Sequence, residues 1–426
     1  MSTAPGAQPL ALVLVPAAAV AAPLLADRLL RWIAVPTVVF EILLGVLIGP
    51  DVLGWVHVDA LVDALSRFGL AMLMFLAGYE IDFARLRGGP LRRAGLAWLV
   101  TVAAALGLGA LVGPDPLDGA FTGLALTTTA LGTILPVLRD SGELPTGFGA
   151  LVMATGAVGE FGPIIAVAVL LSGNTPARSA VILAAFAVIT AVAVAGARRP
   201  RPAWMTGLIR RTLRTSGQFA VRTVMLVLAT MVAAALRLEL DMLLGAFTAG
   251  IVSRLLLADI PRPTEEVVEA KLEGIGFGFL VPVFFVVSGM NFDLDALLGD
   301  PGTLLLVPVF LLLLPALRGL PAALLAPAGL GRRDRAALGL YGATALPLVV
   351  VITTIEVDAG HLASSTAAAL VGAGMLSVLL FPLTAQRLRG DVRPPGARGG
   401  GPARGDAECG WCSGGGVDRR RAGRRV

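Results

Sequence analysis

Glu160 is the residue whose setting most invites a chemical reading. It stands in Thr155-Gly-Ala-Val-Gly-Glu160-Phe-Gly-Pro163, and no other charged residue lies between Glu143 and Arg178. An ionisable side chain in the middle of an apolar stretch is costly and is by default a functional candidate. A lone carboxylate there can hold a proton or a small cation, one at a time. Arg318, between Leu314-Pro315 and Gly319-Leu-Pro321, is the second candidate. Arginine keeps its proton inside proteins, so it would act as a fixed counter-charge; the competing reading is a snorkelling or pore-plugging arginine. Glu41, before Gly45 and Gly49-Pro50, is the third, and could equally be a structural hydrogen-bonding residue near an interface. Glu80 and Asp82 read as capping or loop residues, and Gln218 and Arg222 as interfacial ones.

Oxygen ligands for a cation come from two interrupted segments. Leu126-Thr-Thr-Thr-Ala-Leu-Gly-Thr133-Ile-Leu-Pro136 places threonines, a glycine and a proline inside an apolar run, and Tyr341-Gly-Ala-Thr344-Ala-Leu-Pro347 does so again much later. Paired interruptions in corresponding spans point to a transport site. Unwinding frees backbone carbonyls, and a small hard cation needs such oxygens to replace its hydration shell. Thr128, Thr129, Thr133 and Thr344 are therefore the candidate ion-binding partners of Glu160. The alternative is a pair of proline kinks without function.

These residues must be carried by membrane helices. The chain has 426 residues, of which 56% are hydrophobic and 15% charged, with a mean hydropathy of +0.84. A soluble chain carries about 25% charged residues. A membrane-spanning helix needs about 20 apolar residues. Thirteen candidates lie near 9–27, 33–50, 65–81, 94–113, 120–138, 146–172, 178–197, 217–236, 240–257, 274–290, 302–326, 336–355 and 363–386. The connecting loops alternate in charge. One set is rich in arginine, as at Arg92 and Arg93, Arg198 and Arg199, and Arg332 and Arg333; the other is acidic, as at Asp59 and Asp63, Glu239 and Asp241, and Asp293 and Asp295. By the positive-inside rule the N-terminus is outside and the C-terminus cytoplasmic, in a multi-pass protein of the plasma membrane. The net charge of +5 thus reads as a topology signal, not as a nucleic-acid face.

The sequence also repeats itself. Glu41-Ile-Leu-Leu-Gly45 echoes Asp241-Met-Leu-Leu-Gly245. Gly78-Tyr-Glu-Ile-Asp82 echoes Gly289-Met-Asn-Phe-Asp293, and Thr128-Thr-Ala-Leu131 echoes Ala343-Thr-Ala-Leu346. The order is kept, and an odd number of spans separates each element from its echo. The copies are then upside down relative to one another, the inverted-topology repeat of many secondary transporters.

Residues 1–388 form the expected transmembrane domain, and 389–426 a disordered Gly/Arg-rich cytoplasmic tail. Cys409-Gly-Trp-Cys412 lies in that tail, without the strand-to-helix setting a redox motif requires. His57 and His361 are the only histidines, and no Asp-rich metal motif is present, which argues against a membrane enzyme.

At the same residues the sequence resembles the Kef-type and sodium/proton exchanger branch of the monovalent cation:proton antiporters. The resemblance is carried by Pro36-Thr-Val-Val-Phe-Glu41-Ile-Leu-Leu-Gly-Val-Leu-Ile-Gly49-Pro50, by Phe75-Leu-Ala-Gly78-Tyr-Glu-Ile-Asp82, by Leu243-Leu-Gly-Ala-Phe-Thr-Ala-Gly250 and by Val281-Pro-Val-Phe-Phe-Val-Val-Ser-Gly289-Met. It covers about residues 10 to 385. It implies a homodimer with a dimerisation domain and a mobile core, and two crossing broken helices, here the fifth and twelfth spans. It also implies carboxylates in the sixth span, here Glu160, and a basic partner in the eleventh, here Arg318. The family usually shows two adjacent polar or acidic residues in the sixth span; here the pair is Gly159-Glu160, so the first ligand is absent and the second is one methylene longer. No Gly-x-Gly-x-x-Gly follows the last span, so no dinucleotide cofactor is expected.

The reading is an all-α, polytopic secondary transporter. It would exchange sodium or potassium for protons by alternating access, with the lipid bilayer as its solvent and no nucleic-acid partner. The rivals are a carrier of an organic solute on the same fold and a transport-inactive membrane protein.

Overall fold

The computed structural model describes residues 8–30, 37–81, 88–112, 116–170, 176–199, 203–213, 215–258, 260–299 and 301–390. Asp82, Asp115, Cys409, Cys412 and the Gly/Arg-rich tail lie outside the described residues.

The chain is helical throughout, with no strand among the described residues. It opens with α1 (Gln8–Leu30), α2 (Thr37–Ile48), α3 (Ala60–Glu80) and α4 (Gly89–Val112). A broken pair follows, α5 (Pro116–Ala125) and α6 (Leu131–Asp140), and then α7 (Gly147–Leu170) and α8 (Pro176–Ala197). A short helix α9 (Ala203–Thr212) leads to α10 (Phe219–Arg237), α11 (Met242–Leu257) and α12 (Arg262–Ile275). The last runs through a π-turn, Gly276–Leu280, into α13 (Val281–Met290). After α14 (Leu294–Leu298), α15 (Pro301–Leu314) continues through a second π-turn, Pro315–Gly319, into α16 (Leu320–Leu324). The second broken pair, α17 (Arg332–Ala343) and α18 (Pro347–Asp358), precedes α19 (Ser364–Arg389).

Ten of these helical stretches are long and apolar enough to cross a membrane, and α2 and α11 are shorter apolar helices. Their outer faces are apolar too. Val181, Val188 and Val192 on α8 are all exposed, as are Leu305 and Leu312 on α15. A helix that is apolar all round belongs in lipid or in a core, and within this chain those faces are exposed.

One difference from the sequence reading has a simple cause. The span expected at 274–290 extends back to Arg262, because α12 is amphipathic: Glu265, Glu266, Glu269, Lys271 and Glu273 make it polar, while Val268 and Leu272 are buried. Apolar length alone cannot find such a turn. The spans at 120–138 and 336–355 are each two helices, as their interrupted segments suggest, with the chain unwound between Ala125 and Leu131 and between Ala343 and Pro347.

Close backbone packing organises the first and second halves in the same way. A Cβ on Gly45 of α2 would stand 2.0 Å from the Val286 carbonyl of α13, and one on Gly289 of α13 would stand 2.1 Å from the Ile42 carbonyl of α2. Likewise a Cβ on Gly78 of α3 would stand 2.1 Å from the Phe247 carbonyl of α11, and one on Gly250 would stand 2.1 Å from the Phe75 carbonyl of α3. Small residues let membrane helices approach this closely. The α2–α13 and α11–α3 pairs are packed alike, with Gly250 in the place of Gly45, whereas the echoed Gly245 packs on α10 at the Met231 carbonyl.

Candidate functional site

The two unwound segments meet. The Ala130 N–H donates to the Thr344 carbonyl (2.7 Å), and the Thr129 hydroxyl donates to the Gly342 carbonyl (2.6 Å). A third tie joins the first break to α7: the Thr129 N–H donates to the Gly159 carbonyl (3.0 Å). On the other side Ser377 of α19 holds the second break. Its hydroxyl accepts from the Ala345 N–H (3.0 Å) and lies 3.0 Å from the Ala345 carbonyl and 2.7 Å from the Gly374 carbonyl. Backbone groups cannot be left bare within a membrane, and these bonds are how two open stretches of chain are tolerated there.

The threonine hydroxyls spend their protons on carbonyls. Thr128 donates to Ala125, Thr133 to Ala130 and Thr344 to Leu340. A hydroxyl has one donor and two acceptor lone pairs, so each oxygen keeps lone-pair capacity to accept. The carbonyls of Thr127, Thr128 and Thr129 accept no backbone hydrogen bond among the described residues, which adds further oxygens at the same break.

Glu160 is fully buried on α7, and neither of its oxygens has a hydrogen-bond partner among the described residues. The Leu131 N–H, at the start of α6, is the backbone donor its carboxylate faces, at a geometry too loose for a regular bond. The helix N-terminus there presents free N–H groups and the positive end of the α6 dipole.

Arg318 is also fully buried, in the π-turn between α15 and α16. That excludes snorkelling. It makes no ion pair with Glu160: its Nε donates to the Thr129 hydroxyl (3.0 Å) and its Nη2 to the Thr155 carbonyl (2.7 Å). The reason is angular. A Cβ on Gly159 would stand 2.5 Å from Arg318 Nη2 and 2.3 Å from Thr129 Oγ1, so the guanidinium lies against the bare backbone of residue 159. Successive residues leave a helix about 100° apart, and Glu160 departs on another line. Glycine at 159 is therefore a steric requirement of this arrangement.

Glu41 lies outside this cluster, on α2. It is 6% exposed and forms no hydrogen bond or ion pair among the described residues, so the reading of it as a hydrogen-bonding structural residue finds no partner here.

The two ends of the helical body differ. Near the acidic loops a cavity of about 650 Å³ is lined by Asp63, Asp241, Asp293, Phe284, Val350 and Thr353, among others. A small void below it, bounded by Asp241, Leu243, Leu348, Ile352 and Ile164, reaches α7 one turn beyond Glu160. At the arginine-rich end a charged cluster ties the helix ends together. Arg139, in the last turn of α6, donates to Glu80 at the end of α3 and to Glu273 of α12, with Glu269 at 3.9 Å. Glu80 is thus an ion-pair partner and not a solvated cap. Arg254 of α11 adds a bond to the Tyr79 carbonyl (2.8 Å).

Sequence reasoning missed Gly342, Ser377, Thr155 and Arg139. One signal was present: the spacing of 215 that relates Thr129 to Thr344 also relates Gly159 to Gly374, and each of these glycines lies against the break in its own half.

Fold and site together define a multi-pass, all-helical membrane protein with two interrupted helices that meet beside a buried carboxylate and a buried arginine. The chain belongs to the sodium/hydrogen exchanger transmembrane family, which matches residues 17–388. It is 26% identical over 375 residues to YjbQ of Bacillus subtilis, whose name assigns it provisionally to Na(+)/H(+) antiport; the match covers 84% of this chain and 59% of that protein. It is 28% identical over 267 residues to the Na(+)/H(+)-K(+) antiporter GerN of Bacillus cereus, covering 62% of this chain and 67% of GerN. The chain thus spans between half and two thirds of the length of these relatives. The structure of the sodium proton antiporter MjNhaP1 from Methanocaldococcus jannaschii shares the fold, with a TM-score of 0.61 at 14% identity over 88% of this chain and 95% of that one.

Proposed function

We propose that this chain is a secondary active transporter that exchanges a monovalent cation, sodium or potassium, for protons by alternating access. The observation that carries the reading is Glu160: a fully buried carboxylate with no fixed ionic partner, beside the junction of two unwound helices. A bare carboxylate in such a place is the costly form, so a proton or a cation must accompany it. Thr128, Thr129, Thr133 and Thr344, with the open carbonyls of the first break, supply the remaining oxygens for the cation. Arg318 holds Thr129 and the α7 backbone in register and contributes a constant positive charge. The protein would work as a homodimer in the plasma membrane, N-terminus outside. Residues 1–388 would act as the exchanger domain and 389–426 as a tail.

In this reading one carboxylate serves both ions, which compete for it, and the loaded site moves between the two faces. The test is flux in everted vesicles, read as dequenching of a pH-sensitive dye when sodium, potassium or lithium is added. The native chain should respond, and Glu160→Gln should insert normally yet give no response, because an amide neither titrates nor carries full negative charge. Wild-type flux from that variant would remove Glu160 from the mechanism.

A further inference from the structure

The hairpin of α16 and α17 carries a groove on its outer side. Pro315, Gly319 and Ala323 recur every four residues, and so do Arg332, Ala336 and Leu340. Residues four apart share a helix face, so each helix turns one stripe toward the other. Where the stripes meet, the backbones touch. A Cβ on Gly319 would stand 2.8 Å from the Gly339 carbonyl, and one on Gly339 would stand 2.8 Å from the Gly319 carbonyl. The small side chains of Ala323 and Ala336 leave space beside that joint, an open groove of about 460 Å³ walled by Leu320, Leu324 and Leu340. Leu320 and Leu324 are exposed within this chain. Pro315 and Leu324 are nine residues apart, about 14 Å along a helix. That is close to the depth of one leaflet, half of a hydrocarbon core roughly 30 Å thick.

Arg332 and Arg335 line the same groove at its arginine-rich end. Arg335 is held by neutral acceptors: its Nε donates to the Leu330 carbonyl (3.1 Å) and its Nη2 to the Pro327 (3.1 Å) and Ala328 (3.4 Å) carbonyls. Neither arginine forms an ion pair among the described residues, and Asp334 beside them is paired with Arg389 (2.8 Å). An apolar slot one leaflet deep, topped by two uncompensated guanidinium groups, matches an acyl chain below a phosphate. Arginine binds phosphate through paired, charge-assisted hydrogen bonds, and basic pockets between membrane helices take anionic headgroups.

We propose that an anionic phospholipid of the arginine-rich leaflet seats one acyl chain in this groove and its phosphate on Arg332 and Arg335. The acyl chain lies along the Gly319–Gly339 joint. Arg318, next to Gly319, donates to the Thr129 hydroxyl, and the Gly342 carbonyl, three residues past Gly339, accepts from that hydroxyl. The lipid therefore braces the two helices that hold Thr129. Its effect on flux rests on the exchange reading; its binding does not.

The test is thermal unfolding of purified protein in detergent, with added phosphatidylglycerol, phosphatidylcholine or free glycerol 3-phosphate. Phosphatidylglycerol alone should raise the melting temperature by several degrees, climbing with the logarithm of its concentration as expected of a ligand of the folded state. Arg332→Gln with Arg335→Gln should abolish the shift. Ala336→Phe, which fills the groove, should abolish it with both arginines present. Arg210→Gln with Arg211→Gln, at the end of α9, should retain it. An equal shift from phosphatidylcholine or glycerol 3-phosphate overturns the proposal, as does an equal loss in the Arg210, Arg211 variant. A second copy of the chain in the groove would show as a changed subunit count for Ala336→Phe by light scattering with the lipid shift intact, which also overturns it. Should Arg335→Gln fail to fold, Arg332→Gln and Ala336→Phe decide, and a full shift in either overturns the proposal. In proteoliposomes, replacing phosphatidylglycerol by phosphatidylcholine should lower exchange severalfold in the parent and not in Ala336→Phe; the same response in the two, large or absent, overturns the brace. The two readings fail separately. If Glu160→Gln retains flux, the exchange site is wrong while the lipid-dependent melting stands; if Glu160→Gln is inactive and the parent shows no shift with phosphatidylglycerol, only the lipid site falls.

Discussion

Gly159→Ala isolates the contact on which the central site turns. The added Cβ would stand 2.3 Å from Thr129 Oγ1, 2.7 Å from Thr129 Cβ and 2.5 Å from Arg318 Nη2. None of these atoms is free to yield. Thr129 is tied by its N–H to Gly159, by its hydroxyl to Gly342 and by Arg318 Nε, and Arg318 is tied to the Thr155 carbonyl. Overpacking of this kind costs 1–3 kcal/mol, and breaking one buried bond to the guanidinium adds roughly 1.5–3 kcal/mol. A total of roughly 2.5–6 kcal/mol corresponds to a fall of about 3–7 °C in melting temperature for a domain of this size. The assay is thermal unfolding of purified protein in detergent, with Gly95→Ala as the control. Residue 95 lies in α4 with nothing within 4 Å of its Cβ position, so alanine there should be neutral or mildly stabilising. Exchange by Gly159→Ala should fall at least tenfold, because Thr129 is displaced. If Gly159→Ala melts with Gly95→Ala and transports like the parent, Arg318 does not pack on residue 159 and the account of the site is wrong.

Three further outcomes are expected. Ser377→Ala leaves the Ala345 N–H buried without an acceptor, which costs about 1–3 kcal/mol; melting should drop and cation KM rise, with Ser377→Thr restoring both, whereas an unchanged KM would show that the second break does not contribute to the site. Arg139→Gln leaves Glu80, Glu269 and Glu273, whose carboxylates lie within 4.8 Å of one another, without their shared counter-ion. Amide hydrogen exchange at the ends of α3 and α6 should accelerate, and unchanged protection there would mean that this cluster does not hold those helix ends together. Exchange should also be electroneutral, since Gly159 supplies no second acid, Arg318 stays charged and Glu160 bears either a proton or a monovalent cation. The membrane field acts at about 2.3 kcal/mol per charge per 100 mV, so a valinomycin-set potassium potential that changes sodium-driven flux in proteoliposomes would refute the single-carboxylate cycle.

The sequence by itself determined the class, the two broken spans and the burial of a carboxylate at Glu160. The reason is that lipid imposes strong local rules: a span must be long and apolar, a charge inside it must be rare, and an opening in it must be marked by glycine, threonine or proline. Glu160 and Thr128–Thr133 obey those rules within single stretches of chain, so they are legible without any partner. The echoes were legible for a related reason, because close glycine packing at Gly45, Gly245, Gly78 and Gly289 fixes the residue type at each contact. What only the tertiary structure decided is which way the helices turn. Arg318 and Thr129 are separated by 189 residues, Arg318 and Thr155 by 163, and Thr129 and Gly342 by 213. A soluble helix announces its inward face by its polar stripe, whereas α7 and α15 are apolar on both faces and announce nothing. The rotation that turns Arg318 onto Gly159 and away from Glu160, the clasp of Ser377 on Ala345, and the burial of Glu41 are set by side-chain packing between helices far apart in the chain, and no periodicity within one helix encodes them.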